Sequence, residues 1–352
     1  MASAFSRSEG GGRPRPGQAG WRLLTDPDEA PAADRAALSA FARRLAELVG
    51  PGQAAAALAA GEDRQGLGRL LPVTQVEQAR LLALRSRHWQ EQALRLLHTA
   101  GVETVLLKGL WLAERFYTEP LRRVGDDLDL LVRPEDLPRA VAVLQQHGWQ
   151  FAGATLPAWG SIARASLRPL ASPDRSTAID FHVEADEWPF ARALPNAAIF
   201  EQAMILTRRG LGLRGLGNEA CLLLLASNAA KDKFGPFAVR KAIDALLILR
   251  RGGADGALLQ DLAERSRLRR PLSTLLTLLV RLGLPPDAVP GGLQAAVSGG
   301  ALERLLRDWE ALFQPMPGAW LGLWRELRFG AGWQVAMRRN LARTRGLLRV
   351  GR

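Results

Sequence analysis

Apolar side chains recur at helical spacing through the N-terminal third of the chain. Residues 26–50 have this spacing, and the pattern ends at Gly50 and Pro51, a pair that stops helices. A longer amphipathic helix is predicted over residues 74–99, where apolar positions again recur every three or four residues. The spacing therefore predicts a helical N-terminal region over residues 21–100.

The pattern changes to short apolar runs after residue 100. Residues 102–109 and 125–132 are leucine-rich or β-branched runs of strand length, and each predicts a buried strand. The stretch between them, 110–117, has the composition of a short helix. Residues 133–149 predict another helix, because they carry a proline in the first turn and a glycine at the end.

The remaining pattern predicts a hairpin and then more helices. Residues 162–170 and 176–184 flank a turn rich in serine, proline and aspartate, which is typical of a β-hairpin. Helical spacing returns at Asn218, a favourable N-cap residue. We therefore predict an α+β fold with a small mixed β-sheet core, flanking helices and a helical C-terminal domain. The predicted boundaries are a tail over 1–20, N-terminal helices over 21–100, the sheet core over 101–215 and the helical domain over 216–352.

Basic residues outnumber acidic ones, and the formal net charge of the 352-residue chain is +12. A basic balance favours anionic partners such as nucleic acid, nucleotide phosphates or a lipid surface. The arginines are spread along the chain, with the densest group in residues 338–352. We interpret that group as a solvated chain end rather than a nucleic-acid arm.

Composition also excludes several classes of protein. The single cysteine, Cys221, rules out an intramolecular disulfide framework and a multi-cysteine zinc site, and its apolar neighbours predict a buried thiol. Residues 1–20 are rich in glycine, proline, serine and arginine and lack the apolar segment of a secretory signal, so we expect a disordered tail. No apolar run is long enough to cross a bilayer, and we expect a soluble, cytoplasmic protein.

The most informative stretch is the second predicted strand. Side chains alternate between the two faces of a strand, so Asp127 and Asp129 share one face while Leu128 and Leu130 share the other. Two adjacent carboxylates repel each other unless a cation lies between them, and hard oxygen ligands suit Mg²⁺. The pair therefore predicts a divalent metal site. The alternative is a strand end at which both aspartates are solvated.

A later predicted strand repeats this alternation. Asp180, His182 and Glu184 fall on one face, and apolar residues fall on the other. If this strand pairs beside the first, Asp180 completes a three-carboxylate cluster of the kind that holds two metal ions around a transferring phosphoryl group. The alternative is an antiparallel strand with one wet face, which alternates without any chemistry.

A third candidate element is the turn at Lys108 and Gly109, where a predicted strand ends and a helix begins. Glycine lets the backbone approach an anion, helix N-terminal amides point towards it, and Lys108 adds a positive charge. Arg122 and Arg123 precede the aspartates and are placed to neutralise phosphate oxygens. The simpler alternatives are an ordinary turn and surface arginines.

These elements, in this order, resemble a known family. The resemblance is carried by a lysine–glycine turn, by R-x-x-x-D-x-D-L-L-V, by a helix ending in H-G-W and by I-D-F-H, at 106–109, 123–132, 137–149 and 179–182. Together they are similar to the uncharacterised nucleotidyltransferase family of the DNA polymerase beta-like superfamily, over roughly residues 75–260.

The resemblance implies roles for three sets of residues and a cofactor, Mg²⁺ or Mn²⁺. The residues implied for catalysis and metal binding are Asp127, Asp129 and Asp180. Those implied for binding the nucleotide phosphates are Lys108, Gly109 and Arg123. Those implied near the acceptor or behind the carboxylates are His182, Asn228, Lys231 and Asp244. The chain departs from the superfamily at Leu110, where a second small residue is usual. It also departs at Asn228, where relatives often carry histidine.

The implied reaction moves a nucleoside monophosphate from a nucleoside triphosphate to an acceptor hydroxyl and releases pyrophosphate. The acceptor is open among a small molecule, a peptide or protein, and RNA. Two other functions stay open from the sequence: a non-catalytic nucleotide-binding or regulatory module on the same fold, and a basic protein that acts on RNA. The sequence carries no signal for the oligomeric state.

Overall fold

The computed structural model describes most of the chain. The described residues are 35–58, 70–123, 125, 127–152, 166–186, 190–281, 284–290, 293, 319–337 and 341. The predicted tail over residues 1–20 lies outside them, and so does the predicted basic chain end over 338–352, apart from Leu341.

The N-terminal helices precede the sheet, as the spacing predicts. The bounds are α1 Arg35–Val49, α2 Pro51–Leu58 and α3 Val73–Thr99. Gly50 ends α1 with a φ of +88°, a left-handed conformation that glycine adopts without steric cost. Pro51 then begins α2 directly, since a proline suits the first turn of a helix. The long predicted helix over 74–99 is confirmed as α3.

The alternation of strands and helices predicted after residue 100 is confirmed. The bounds are β1 Thr104–Leu106, α4 Leu110–Phe116, β2 Asp127–Val132 and α5 Leu137–Gln146, with 3₁₀ turns at Pro120–Arg122 and Pro134–Asp136. Every residue of β2 after the first is buried. The strand that carries the two aspartates is therefore part of the core.

Hairpins extend the sheet on both sides of this segment. The bounds are β3 Gln150–Phe151, β4 Leu170–Ala171, β5 Ala178–His182, α6 Phe190–Ala193, α7 Asn196–Gln202, β6 Met204–Arg208 and β7 Leu211–Gly215. The predicted hairpin is present between β4 and β5, which pair antiparallel, but its first strand is shorter than predicted and begins only at Leu170. Residues 162–165 of the predicted first strand lie outside the described residues. A second hairpin, β6 to β7, is not among the predicted elements. It turns at Arg209 and Gly210, both with positive φ, as the favoured two-residue turn requires.

Helices dominate the described residues after β7, as predicted. The bounds are α8 Asn218–Lys231, α9 Ala238–Arg251, α10 Gly256–Arg265, α11 Arg269–Arg281 and α12 Ala319–Phe329, with a 3₁₀ turn at Pro286–Ala288. Among the described helices, none combines the length and the apolar composition that spanning a membrane requires.

The prediction that Asn218 caps α8 was wrong. Gly217 occupies the N-cap position, and no side chain caps the helix there. The Asn218 amide instead donates hydrogen bonds to the carbonyl oxygens of Gly252 and Gly253, each at 2.9 Å, just beyond the end of α9. Carbonyls at a helix end lack helical partners, and the two that follow α9 accept hydrogen bonds from an amide more than 30 residues earlier in the chain.

The strands of the described chain form one seven-stranded mixed sheet with the order β3–β4–β5–β2–β1–β7–β6. Strand β2 lies at the centre, antiparallel to β1 and parallel to β5. Strand β7 runs parallel to β1 on the other side. A mixed sheet with helices before and after it confirms the predicted α+β class.

One cluster of buried apolar side chains joins the sheet to the helices. It reaches from Leu38 in α1 to Phe329 in α12, so the N-terminal and C-terminal helices share a core with the strands. Cys221 is buried in α8, as predicted, and burial raises the pKa of its thiol to about 12. The boundaries of the domains stay predictions.

Strand β7 and helix α4 approach each other closely at Gly215. A Cβ atom at this position would lie 2.2 Å from Cδ2 of Trp111, well inside van der Waals contact. The Trp111 indole is fully buried, and its Nε1–H donates to the Leu216 carbonyl at 2.8 Å. Glycine at 215 thus lets α4 pack directly against the sheet.

We predict that Gly215→Ala destabilises the protein by roughly 1–3 kcal/mol, because the added methyl group forces Trp111 from its place in the core. Urea unfolding followed by circular dichroism measures the change. Gly212→Ala on the same strand is the matched control, since a Cβ there meets no atom within 4 Å. Equal losses in the two variants would contradict the packing argument.

Candidate active site

The parallel pairing of β2 with β5 builds the site. Its register sets Asp129 directly opposite Asp180 and Leu128 opposite Ile179. Because side chains of paired residues project from the same face of a sheet, the two carboxylates lie together while Leu128 and Ile179 enter the core on the other face. The pairing on which the predicted cluster depends is therefore present.

Three side chains form a group that can hold a metal ion. One ligand atom each from Asp129, Asp180 and His182 lies within 4.8 Å of the other two. Asp129 Oδ2 and Asp180 Oδ1 are buried and have no hydrogen-bond partner among the described residues. A buried carboxylate oxygen without a donor is costly, and a bound cation removes that cost. The residues present therefore fit a divalent metal.

Two basic side chains compensate the buried charge of Asp129, whose exposure is only 2%. Lys108 Nζ and His182 Nε2 each lie 3.1 Å from Asp129 Oδ1, and His182 Nε2 lies 3.5 Å from Asp180 Oδ2. Burial by itself raises the pKa of Asp129, but Lys108 and His182 outweigh burial and lower that pKa to about 2. Asp129 is thus held as a carboxylate.

The basic partners respond in the opposite direction. Burial lowers the pKa of His182, but its hydrogen bonds to Asp129 and Asp180 outweigh burial and raise that pKa to about 9. Burial likewise opposes the charge of Lys108, and the attraction of Asp129 and Asp127 more than offsets it, so the pKa of Lys108 is raised. Both side chains carry a positive charge at neutral pH.

Asp127 occupies the rim of the site. It is the first residue of β2 and the exposed one, two positions before Asp129 on the same strand face. Partial desolvation and the neighbouring Asp129 charge raise the pKa of Asp127, because each disfavours its ionised form. Asp127 is outside the compact group of three potential ligands, which contains His182 instead.

The predicted glycine turn lies beside the aspartates. Gly109 has φ +53° and ψ −108°, a left-handed conformation that favours glycine, and it immediately precedes α4. Leu107 N–H donates to the Asp129 carbonyl at 3.2 Å, so the chain entering the turn is still paired with β2. A Cβ atom at Gly109 would lie 3.6 Å from the Asp127 carbonyl oxygen. Lys108 and Gly109 are thus adjacent to the group that can hold a metal ion.

Part of the Arg123 guanidinium is engaged by another protein side chain. Its Nε and Nη2 donate to the two carboxylate oxygens of Asp244 at 2.9 and 2.7 Å, inside the core. Burial opposes the arginine charge, but Asp244 outweighs it and raises the pKa of Arg123. The third nitrogen, Nη1, lies near two glycines. If these residues had Cβ atoms, Nη1 would be 3.9 Å from that of Gly109 and 3.8 Å from that of Gly125. Nη1 is thus the Arg123 atom that comes within 4 Å of a Cβ at Gly109.

Asp244 anchors a buried network that the sequence pattern did not reveal. Tyr117 donates its hydroxyl to Asp244 Oδ1 at 2.7 Å, and Gln53 donates its amide to the Tyr117 hydroxyl at 2.8 Å. Burial raises the pKa of Tyr117 well above its ordinary value, so the hydroxyl stays protonated. Two sequence signals existed: Tyr117 is the chain's single tyrosine, and Gln53 is a lone polar residue in an alanine-rich helix.

Asn228 and Lys231 lie near the end of α8. Lys231 Nζ contacts the buried carboxylate of Asp186, which lies four residues beyond the end of β5. Asn228 is half-buried one turn earlier on the same helix. The contact joins α8 to the segment that follows Asp180 and His182.

Comparison with known proteins identifies a family for this chain. A sequence model described as uncharacterised nucleotidyltransferase matches residues 54–283, roughly two thirds of the chain. The match includes β1, β2 and β5 with all three aspartates, and it extends through α9, which carries Asp244. No curated protein is significantly similar to the chain.

We predict that Asp244→Asn destabilises the protein by roughly 3–5 kcal/mol, because it leaves the buried Arg123 guanidinium without its counter-charge. Chemical unfolding measures the loss. Asp261→Asn is the control, since Asp261 pairs with Arg265 on an exposed helix surface, where such pairs contribute about 0.3–0.5 kcal/mol. A loss for Asp244→Asn as small as that of the control would show that the buried pair has no such role.

We also predict a pH-dependent contribution of His182 in the absence of divalent metal. Its pKa is raised from 6.5 to about 9 in the folded protein, so its stabilising effect is complete below pH 6.5 and is lost as the pH rises through 9. The measurement compares the free energies of unfolding of the wild type and His182→Gln in EDTA, from pH 6 to pH 9.5, which is roughly the window that linkage sets. The two free energies should converge with rising pH. A constant difference across this range would contradict the raised pKa.

Proposed function

Because the chain belongs to the uncharacterised nucleotidyltransferase family, we propose that it transfers a nucleoside monophosphate from a nucleoside triphosphate to an acceptor hydroxyl and releases pyrophosphate. The observation that carries this proposal is the β2–β5 register, which sets Asp129 opposite Asp180 beside the turn at Lys108 and Gly109. Phosphoryl transfer needs carboxylates that bind a metal ion and, next to them, a backbone turn that can bind phosphate.

We assign metal binding to Asp127, Asp129 and Asp180, with Mg²⁺ or Mn²⁺ as the ion. The orphaned oxygens of Asp129 and Asp180 support this assignment, and all-oxygen ligation suits these hard cations. When bound, the metal supplies positive charge and Lewis acidity for the transferring phosphoryl group.

Lys108 and the Gly109 turn would hold the triphosphate. Lys108 Nζ already lies at the carboxylate cluster, so the same ammonium group can reach a phosphate oxygen bound next to Asp129. The positive φ of Gly109 and its missing side chain leave the backbone open to a close approach. Arg123 contributes through Nη1, while Asp244 fixes its orientation. Fixed positive groups of this kind stabilise charge without reorganising during the reaction.

Asp180 is the residue that we assign to accept the proton of the acceptor hydroxyl. Its side chain keeps 27% of its surface exposed, against 1% for Asp129, so an acceptor can reach it. We place the acceptor on the side of β5 and α8, where Asn228 and Lys231 lie. The proposal leaves a small molecule, a peptide or protein, and RNA as acceptor classes.

The test is metal-dependent transfer of a labelled nucleotide. The purified chain is incubated with each ribonucleoside triphosphate carrying an α-phosphate label, with Mg²⁺ or Mn²⁺ and with small-molecule, peptide and RNA fractions as acceptors. We expect release of pyrophosphate and transfer of label with at least one nucleotide. Asp129→Asn should lower the rate by about a hundredfold or more, because a metal's stabilisation of the transition state is worth several kcal/mol.

The exposed carboxylate of Asp261 provides the control for this assay, since Asp261→Asn removes a negative charge far from β2 in sequence and leaves the site intact. Its rate should equal that of the wild type. Absence of both pyrophosphate release and metal-dependent nucleotide binding would reject the transferase assignment. Metal-dependent binding without transfer to any acceptor would favour a regulatory nucleotide-binding module instead.

A further inference from the structure

We propose that His182 is a positioning residue that orients Asp129 and Asp180 for the metal ion and does not itself bind the ion. This inference rests on the proposed function only in assuming that the site takes a divalent cation. The compact group formed by the two aspartates and His182 allows two arrangements, one with a nitrogen ligand and one with carboxylate oxygens alone. The contacts of the individual atoms distinguish them.

One nitrogen of His182 bridges the two carboxylates. Nε2 lies 3.1 Å from Asp129 Oδ1 and 3.5 Å from Asp180 Oδ2. The other oxygen of each carboxylate, Asp129 Oδ2 and Asp180 Oδ1, is buried without a hydrogen-bond partner among the described residues. The imidazole therefore uses one oxygen of each aspartate and leaves the other oxygen of each for a cation.

The bridging nitrogen has no lone pair to offer a metal. The described contacts of Nε2 are with carboxylate oxygens, which accept hydrogen bonds, so the tautomer that satisfies them carries a hydrogen on Nε2. A nitrogen that carries a hydrogen cannot ligate a metal. The remaining nitrogen, Nδ1, is buried without a hydrogen-bond partner among the described residues. Because it lies on a different edge of the ring, it cannot point to the space between the carboxylates while Nε2 contacts them. Ligation by His182 would therefore require the loss of both contacts.

Lys108 supports the same division of the Asp129 oxygens. Its Nζ lies 3.1 Å from Asp129 Oδ1, the oxygen that His182 also contacts. Two donors thus converge on Oδ1, and Oδ2 receives none from the described residues. This contact is independent of His182 and leaves the same Asp129 oxygen for the ion.

The backbone fixes the histidine where this role requires it. His182 is the last residue of β5, two positions after Asp180 and on the same strand face. In the parallel register it lies opposite Leu131, two positions beyond Asp129. The spacing Asp-x-His on β5 therefore sets the imidazole beside Asp180 on the same strand and diagonally opposite Asp129 on β2. Metal sites commonly orient their ligands by hydrogen bonds of this kind.

The two arrangements select different metals. Oxygen ligands alone suit Mg²⁺ and Mn²⁺, whereas an imidazole ligand shifts preference towards Zn²⁺, Co²⁺ and Ni²⁺. The role of His182 therefore determines the metal preference of the site.

The test uses Mn²⁺ as a paramagnetic probe of the full-length protein. Continuous-wave electron paramagnetic resonance measures the Mn²⁺ dissociation constant, and pulsed measurements detect the hyperfine modulation of a coordinated imidazole nitrogen. We expect bound Mn²⁺ without coordinated nitrogen in the wild type. His182→Gln, which keeps an N–H donor but loses the positive charge, should bind Mn²⁺ at least as tightly as the wild type does. His182→Leu, which loses the same charge and has no donor, should bind Mn²⁺ about 10–100-fold more weakly than His182→Gln does.

Coordinated nitrogen in the wild type that disappears in His182→Gln would overturn the inference, and so would equal Mn²⁺ affinities of the Gln and Leu variants. The wild-type spectrum decides even where His182→Leu fails to fold, which circular dichroism detects. None of these readouts involves nucleotide transfer. A nitrogen ligand would reject the role of His182 and leave the proposed reaction standing, whereas failure of transfer with an all-oxygen Mn²⁺ site would reject the reaction and leave this role standing.

Discussion

The repulsion between two carboxylates at the centre of a sheet is the constraint on which the rest of the site depends. Parallel pairing of β2 with β5 puts Asp129 opposite Asp180, and Asp129 is almost fully buried. Two adjacent negative charges, one of them buried, are tolerated only with compensating positive charge nearby. Lys108, which lies just before α4, and His182, which lies on β5, supply part of this positive charge. The remaining unsatisfied oxygens give the site its capacity for a divalent ion.

The helices after the sheet contribute to this site through the core. Asp244 on α9 holds two of the three guanidinium nitrogens of Arg123, which leads into β2, and Tyr117 and Gln53 complete the network. A buried charge held by several hydrogen bonds has little freedom to move, so the approach to β2 is rigid. The helical part therefore does more than cover the sheet: it determines the direction in which Arg123 can act.

Local pattern was sufficient to predict much of the fold and the centre of the site. Alternation along a strand is a property of neighbouring residues, so the shared face of Asp127 and Asp129 was predictable, and so was that of Asp180 and His182. Partners distant in sequence were not predictable, because nothing local signals them. Arg123 was expected to bind phosphate, and that stays a prediction, but two of its five N–H donors are taken by Asp244, a residue 121 positions away. Asn218 was predicted to cap the start of α8, but its amide binds the carbonyls after the end of α9, again a partner that is distant in sequence. The β6–β7 hairpin is different, since its Arg-Gly turn was a usable signal.

The contact between Gly215 and Trp111 links two positions that are far apart in the chain but share one space. The indole ring fills the volume that a side chain at 215 would need, so neither position can vary freely while the other is fixed. Among relatives that keep this packing, a larger residue at the position of Gly215 should appear together with a smaller one at the position of Trp111. Such covariation would identify the β7–α4 contact from sequences alone, and it would reveal which relatives set the helix after the lysine–glycine turn at the same distance from the sheet.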